Sequence, residues 1–264
     1  MFFRLTSWQL GLIIFACVLG PTLFGLLVGR SLRKHSETLR EPFGVLQGAL
    51  LGVVGLILAF GLTMAVGRYE TRRSAVVSEA NAIGTTYLRA QTLAEPMRSS
   101  SLALLKHYTD VSIHLAHTVP NSPAARRTVA ASGQLQRQLW SRAGKALTGA
   151  PAASAPRLYA DSLNETFDMQ SVRVAALNNR IPGAVLALEI IGAGVALGLL
   201  ALYMGILDRG VITVLFAAAL VTMLLLVTFD LDRPTRGLIT VPDTPLTAAR
   251  ASMIPPPAAT GPTG

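Results

Sequence analysis

Four long apolar stretches, set as two pairs around one hydrophilic block, restrict this chain to very few folds. They run over Trp8–Gly29, Gly44–Gly67, Gly183–Leu207 and Gly210–Phe229, each close to the ~20 residues that carry a helix across a bilayer core. In hydrocarbon a lone segment satisfies its own backbone hydrogen bonds, so these are helices and not strands. Glu189 is the single charge inside them. The expected fold class is all-α: an integral membrane protein with four transmembrane helices and a helical cytoplasmic lobe inserted between the second and third.

Charge placement supports a membrane setting. Basic residues outnumber acidic ones 23 to 14, a net +9, but they gather at the ends of the apolar stretches: Arg30, Arg33 and Lys34; Arg68, Arg72 and Arg73; Arg233 and Arg236. That placement suits interfacial anchoring and attraction to anionic leaflets. No basic groove interleaved with aromatic residues is present, which argues against nucleic acid as a partner. The expected partner is the lipid bilayer.

The lone Cys17 lies in the first stretch and excludes an intramolecular disulfide or a cysteine-built zinc cluster. Ile14-Phe15-Ala16-Cys17 resembles a lipoprotein processing box, but bulky Phe15 and apolar sequence continuing to Gly29 favour an uncleaved span. With the N-terminus inside, Arg4, Arg68, Arg72, Arg73, Arg173, Arg180, Arg233 and Arg236 share one side, against Arg30, Arg33, Lys34, Arg40 and Arg209 on the other. The positive-inside bias thus puts both termini and the lobe in the cytoplasm of a bacterial inner membrane.

The chain divides into residues 1–67 with the first two spans, 68–181 as the soluble lobe, 182–229 with the last two spans, and 230–246 as a polar segment. Residues 247–264 form a Pro/Ala/Thr-rich tail expected to be disordered. Within the lobe, Val76, Ala80, Ile83, Tyr87 and Ala90 recur at three- and four-residue spacings, one face of a helix over Tyr69–Leu93. Glu95-Pro96 opens a second helix, and Pro120-Asn121-Ser122-Pro123 ends it. A third runs to about Leu147. The fourth, about Arg157–Arg180, leads almost directly into the third span.

Three places draw attention as candidate sites. In the second span Gly44, Gly48 and Gly52 recur at every fourth position, and Gly55 continues the stripe. Such a face serves either as a packing seam within the subunit or as the contact between copies around an axis. In the second case Gln47, Leu51, Val54, Leu58 and Ala65 on an adjacent face line a narrow apolar pore. Glu189 in the third span is a relay candidate, or a carboxylate that snorkels to the interface ~10 Å away. His107, Asp110, His114 and His117 fall within about 80° on a helical wheel. They make either a solvated polar face or a metal- or pH-sensing cluster that needs a partner segment. No phosphate loop, nucleophile elbow or His-Glu-x-x-His motif is present, so no catalytic residue, resident metal or cofactor is expected.

Two stretches resemble the bacterial bestrophin-like membrane proteins. In one, Arg68 and Arg72 are followed by Glu-Ala-Asn-Ala-Ile-Gly-Thr over Glu79–Thr85, with Glu79, Asn81 and Gly84 as motif positions. In the other, Asp230, Asp232, Arg233, Pro234, Arg236 and Gly237 form Asp-Leu-Asp-Arg-Pro-x-Arg-Gly directly after the last span. The resemblance covers about residues 8–250. It implies kinship with bestrophins, pentameric anion channels with four spans per subunit, cytoplasmic termini and a pore lined by the second span. This chain departs from them in having Phe60 alone where they carry closely spaced pore phenylalanines. Asp230 and Asp232 are similar to the bestrophin calcium-binding acidic cluster, the alternative being that they pair with arginines and fix the C-terminal segment.

Two functional readings stand side by side. One is a homo-oligomeric ion channel, selective for small anions, with the second span at its axis. The other is a non-conducting scaffold or signalling protein whose helical lobe senses a ligand or partner.

Overall fold

The computed structural model describes residues 6–32, 40–208 and 210–254. Arg4, Arg33, Lys34, Arg209 and the proline-rich end from residue 255 lie outside them. Every regular element among the described residues is an α-helix: α1 (Ser7–Leu32), α2 (Arg40–Ala90), α3 (Met97–Ala116), α4 (Pro123–Gly149), α5 (Ser154–Asn178), α6 (Gly183–Leu207), α7 (Val211–Leu231) and α8 (Thr244–Ala251). The chain divides into two compact units, residues 1–69 with 180–240, and residues 70–179 with 241–264. The second span and the first lobe helix are one uninterrupted helix of 51 residues. With no proline between Pro42 and Pro96, nothing in the chain breaks it.

In the first unit four helices are long and apolar enough to cross a membrane. Contact registers give the directions of three of them. Cys17, Leu26 and Gly29 of α1 meet Gly194, Gly205 and again Gly205 of α6, so the two helices run parallel. Gly61, Val54 and Gly44 of α2 meet Glu189, Gly192 and Tyr203, so α2 runs antiparallel to α6. Alternating directions are what successive crossings of one bilayer require.

The tightest seam joins α1 to α6. A side chain on Gly25 or Gly29 would collide with the carbonyls of Gly198 and Leu202, and one on Gly205 would come within 2.8 Å of the Leu26 carbonyl. Pro21 has no N–H to give the Cys17 carbonyl, and that oxygen faces Gly194, where a Cβ would lie 3.2 Å away. Bare backbone lets the helices come close, and in lipid close packing rather than hydrophobicity holds helices together. The closest small-residue seam inside the subunit is therefore built from α1 and α6.

The second unit packs α3, α4, α5, α8 and the end of α2 around Ile83, Tyr87, Leu105, Tyr108, Leu139 and Tyr159. The expected apolar face Val76, Ala80, Ile83, Tyr87 and Ala90 is buried as a whole. Ser122 caps α4 by accepting from the Ala125 N–H at 3.1 Å, with Pro123 as its first residue. The expected disorder from residue 247 onward is corrected for 247–253. Residues 247–251 complete α8, and Leu246 and Met253 are buried in the lobe core. Arg250 clamps α8 to α3 through Asp110, at 2.7 and 3.3 Å.

Candidate functional site

The second span buries one side only. Val54, Leu58, Gly61 and Ala65, at helical spacing, face the core of their own subunit. Gln47 and Leu51 are half-buried on the same side. Three of the five expected pore-lining residues, Val54, Leu58 and Ala65, are thus packed within the subunit. At 100° per residue the opposite side carries Val45, Ala49, Gly52, Leu56, Ala59 and Thr63, all exposed. A Cβ on Gly48, Gly52 or Gly55 would meet nothing within 4 Å, whereas one on Gly44 would touch the Tyr203 hydroxyl at 3.3 Å. Of these glycines Gly44 packs within the subunit, against Tyr203. The other three glycines border open space, on a face that carries no charge and has Thr63 as its hydroxyl, donating to the Ala59 carbonyl at 2.8 Å.

Glu189 does not snorkel to the interface. It is 1% exposed and turned inward, with its carboxyl lying where a side chain on Gly61 would be. Neither of its oxygens has a hydrogen-bond partner among the described residues.

The motif residues of α2 organise α5. Arg72 is fully buried and donates to the Ala176 and Asn179 carbonyls at 3.3 and 2.8 Å, covering the last turn of α5. Two turns on, Glu79 pairs with Arg173 of α5 at 2.7 Å, both side chains being buried. Ser112 of α3 donates to the other Glu79 oxygen at 2.9 Å, and its carbonyl accepts from Arg173 at 3.1 Å. Three helices are tied at one ionic centre. Asn81 is exposed on the outer side of α2, and Gly84, half-exposed, has open space around it.

The second motif closes the end of α7. Asp230 accepts from the Ile239 N–H at 2.8 Å, and a Cβ on Gly237 would come within 2.6 Å of its carboxylate. Glycine is required there because the chain returns directly over the carboxylate. Asp232 accepts from the Ile181 N–H at 3.1 Å, where the chain enters α6. Pro234 is buried and Arg236 exposed. Burial lowers the pKa of Arg180, with Asp232 opposing that shift, and burial likewise lowers that of Arg233, with Asp230 opposing. These aspartates lock a polar segment to the start of α6 and the end of α7 with backbone hydrogen bonds.

A family model, the bestrophin-like domain, matches residues 12–246. The chain belongs to the bestrophin-like family. A crystal structure of a bacterial bestrophin homologue from Klebsiella pneumoniae, carrying a tyrosine-to-alanine change, is similar with a TM-score of 0.64 at 14% identity, covering 89% of this chain and 96% of that one. A membrane protein with a serine-to-alanine change gives 0.67 at 16% identity, over 91% and 94%. At such identities the likeness is one of fold. None of the curated proteins matches the chain.

In this bestrophin-like chain the histidine face is divided. His117 meets Asp243 at 3.0 Å and Asp110 meets Arg250, so two of the four expected ligands dock the segment around α8. His107 and His114 are exposed, and no three His, Cys, Asp or Glu among the described residues come together as a metal set. Sequence reading missed Gly61, Arg173 and Ser112. Only Gly61 left a local trace, as a small residue on the helical face shared by Val54, Leu58 and Ala65.

Proposed function

We propose that this bestrophin-like protein is a homo-oligomeric anion channel of the bacterial inner membrane, with the outward face of α2 lining the axis. The observation that carries the reading is the contrast between the two sides of α2: Val54, Leu58 and Ala65 are packed, while Gly48, Gly52, Gly55, Leu56 and Ala59 are bare. A helix apolar on both sides gains nothing from exposing Gly48, Gly52 and Gly55 to lipid. A ring of copies gains close approach and a narrow lumen from them. An apolar constriction conducts when wetted. The span has no carboxylate to attract cations, and Arg68 at its end, together with the net charge of +9, favours anions. This reading needs no catalytic residue.

Cysteine accessibility tests it. In a Cys17→Ala background, Gly52→Cys, Leu56→Cys and Ala59→Cys react with a water-soluble thiol reagent and lose flux, while Val54→Cys and Leu58→Cys stay inert. The reverse pattern would put the pore on the face of Val54 and Leu58.

One observation favours a sensing lobe as the second reading. A cavity of about 260 Å³ lies between the α3–α4 turn and α5, lined by Leu115, Ala125, Val129, Val174 and Leu177 with Arg126 beside them. A monomer that binds a small apolar acid there and passes no ions would support the scaffold instead.

A further inference from the structure

The third span holds a carboxyl group for which the conduction path has no use. Glu189 is almost completely buried, both its oxygens lack a hydrogen-bond partner among the described residues, and it fills the notch left by the missing side chain of Gly61. Its surroundings offer little to balance a charge. From Gly44 to Gly67, α2 has no titratable group, and α7 has none from Val211 to Phe229. In the span of α1 there is Cys17, which is exposed, and on α6 there is Tyr203, which lies beside Gly44. The first charges beyond this end of the spans are, in sequence, Arg4, Arg68, Arg180 and Asp230. An ionised carboxylate without a partner is not tolerated in hydrocarbon, whereas the neutral acid is. At ~1.5 Å per residue from Pro182, Glu189 is ~10 Å deep, about two helical turns from the aqueous side.

We propose that Glu189 is a proton-binding site inside the membrane: as the neutral acid it seats α6 against α2 at Gly61, and loss of its proton draws water into the notch and loosens that joint. The O–H bond breaks heterolytically, the proton passes to water at the near membrane surface, and the carboxylate stays behind hydrated. The opposite side of α2 is the one assigned to the axis, so the joint makes conduction pH-dependent. That last link rests on the channel reading, while the proton site does not.

Infrared difference spectroscopy of the reconstituted full-length protein between mildly acidic and alkaline buffer reads the site directly. The expected result is a protonated-carboxyl C=O band that is lost on alkalinisation and is missing at every pH in Glu189→Gln. Identical spectra for wild type and Glu189→Gln would overturn the proposal. Gly61→Ala gives an independent check, since it forces the carboxyl out of the notch: the band shifts, and an unchanged band contradicts the site. Chloride flux measured on the same samples separates the two claims. A titrating band without flux at any pH upholds the proton site and removes the channel reading. Flux whose pH dependence survives Glu189→Gln overturns the link between them.

Discussion

At the scale of single residues, the lobe depends on a buried charge pair with one partner on α2 and the other on α5. Glu79 and Arg173 are 0% and 1% exposed, and Ser112 satisfies further atoms of both. Removing one member strands the other without solvent, which costs about 3–5 kcal/mol. Glu79→Ala is therefore expected to unfold the lobe in urea at much lower concentration, and pairing it with Arg173→Met is expected to recover most of the loss. Equal behaviour of the single and double variants would show that the pair is not coupled. Tyrosine burial sets the alkaline limit. Burial pushes the Tyr159 hydroxyl up to about 12. The fold retains the neutral form, so this contribution is complete below the unfolded value near 10 and is lost as pH rises through about 12. Lobe stability should fall over that window, and Tyr159→Phe should flatten the decline, as denaturation followed by circular dichroism at stepped pH will show. At the end of α7, Gly237→Ala drives a methyl group onto the Asp230 carboxylate. It is expected to lower thermal stability by about 1–3 kcal/mol.

At the scale of elements, two sets of glycines have opposite consequences. A side chain on Gly25 collides with the backbone of α6, so Gly25→Leu is expected to abolish the folded subunit and its monodisperse peak in detergent. One on Gly48 enters open space. Gly48→Leu should leave the subunit folded and break its assembly, visible as a smaller particle by size-exclusion with light scattering. An unchanged oligomer would remove α2 from the interface. The helices themselves were legible in the sequence because their signals are local: apolar length for the spans, three- and four-residue spacing for Val76, Ile83 and Tyr87, and Ser122-Pro123 at the start of α4. The facing of α2 was not. Water marks the outside of a soluble helix, but lipid is as apolar as the protein interior, so residue type does not distinguish Val54, packed within, from Val53, exposed. Pairings such as Glu79 with Arg173 and Asp110 with Arg250 join positions 94 and 140 residues apart, beyond the reach of any spacing rule.

At the scale of the whole molecule, four apolar helices, the first three of them alternating in direction, a helical lobe and the bestrophin-like match describe a membrane protein whose second helix keeps one side free. Net charge and the basic residues beside the spans argue for anions, an effect that weakens as salt screens it. Flux should therefore saturate early and lose selectivity at high ionic strength. The most direct measurement is ion flux through the purified protein in liposomes, with chloride and potassium gradients imposed separately. Movement is expected to follow chloride, ignore the potassium gradient, and disappear in Gly52→Leu while the subunit remains folded. Silent vesicles from verified folded oligomer, or flux that follows potassium and survives Gly52→Leu, would contradict the channel reading.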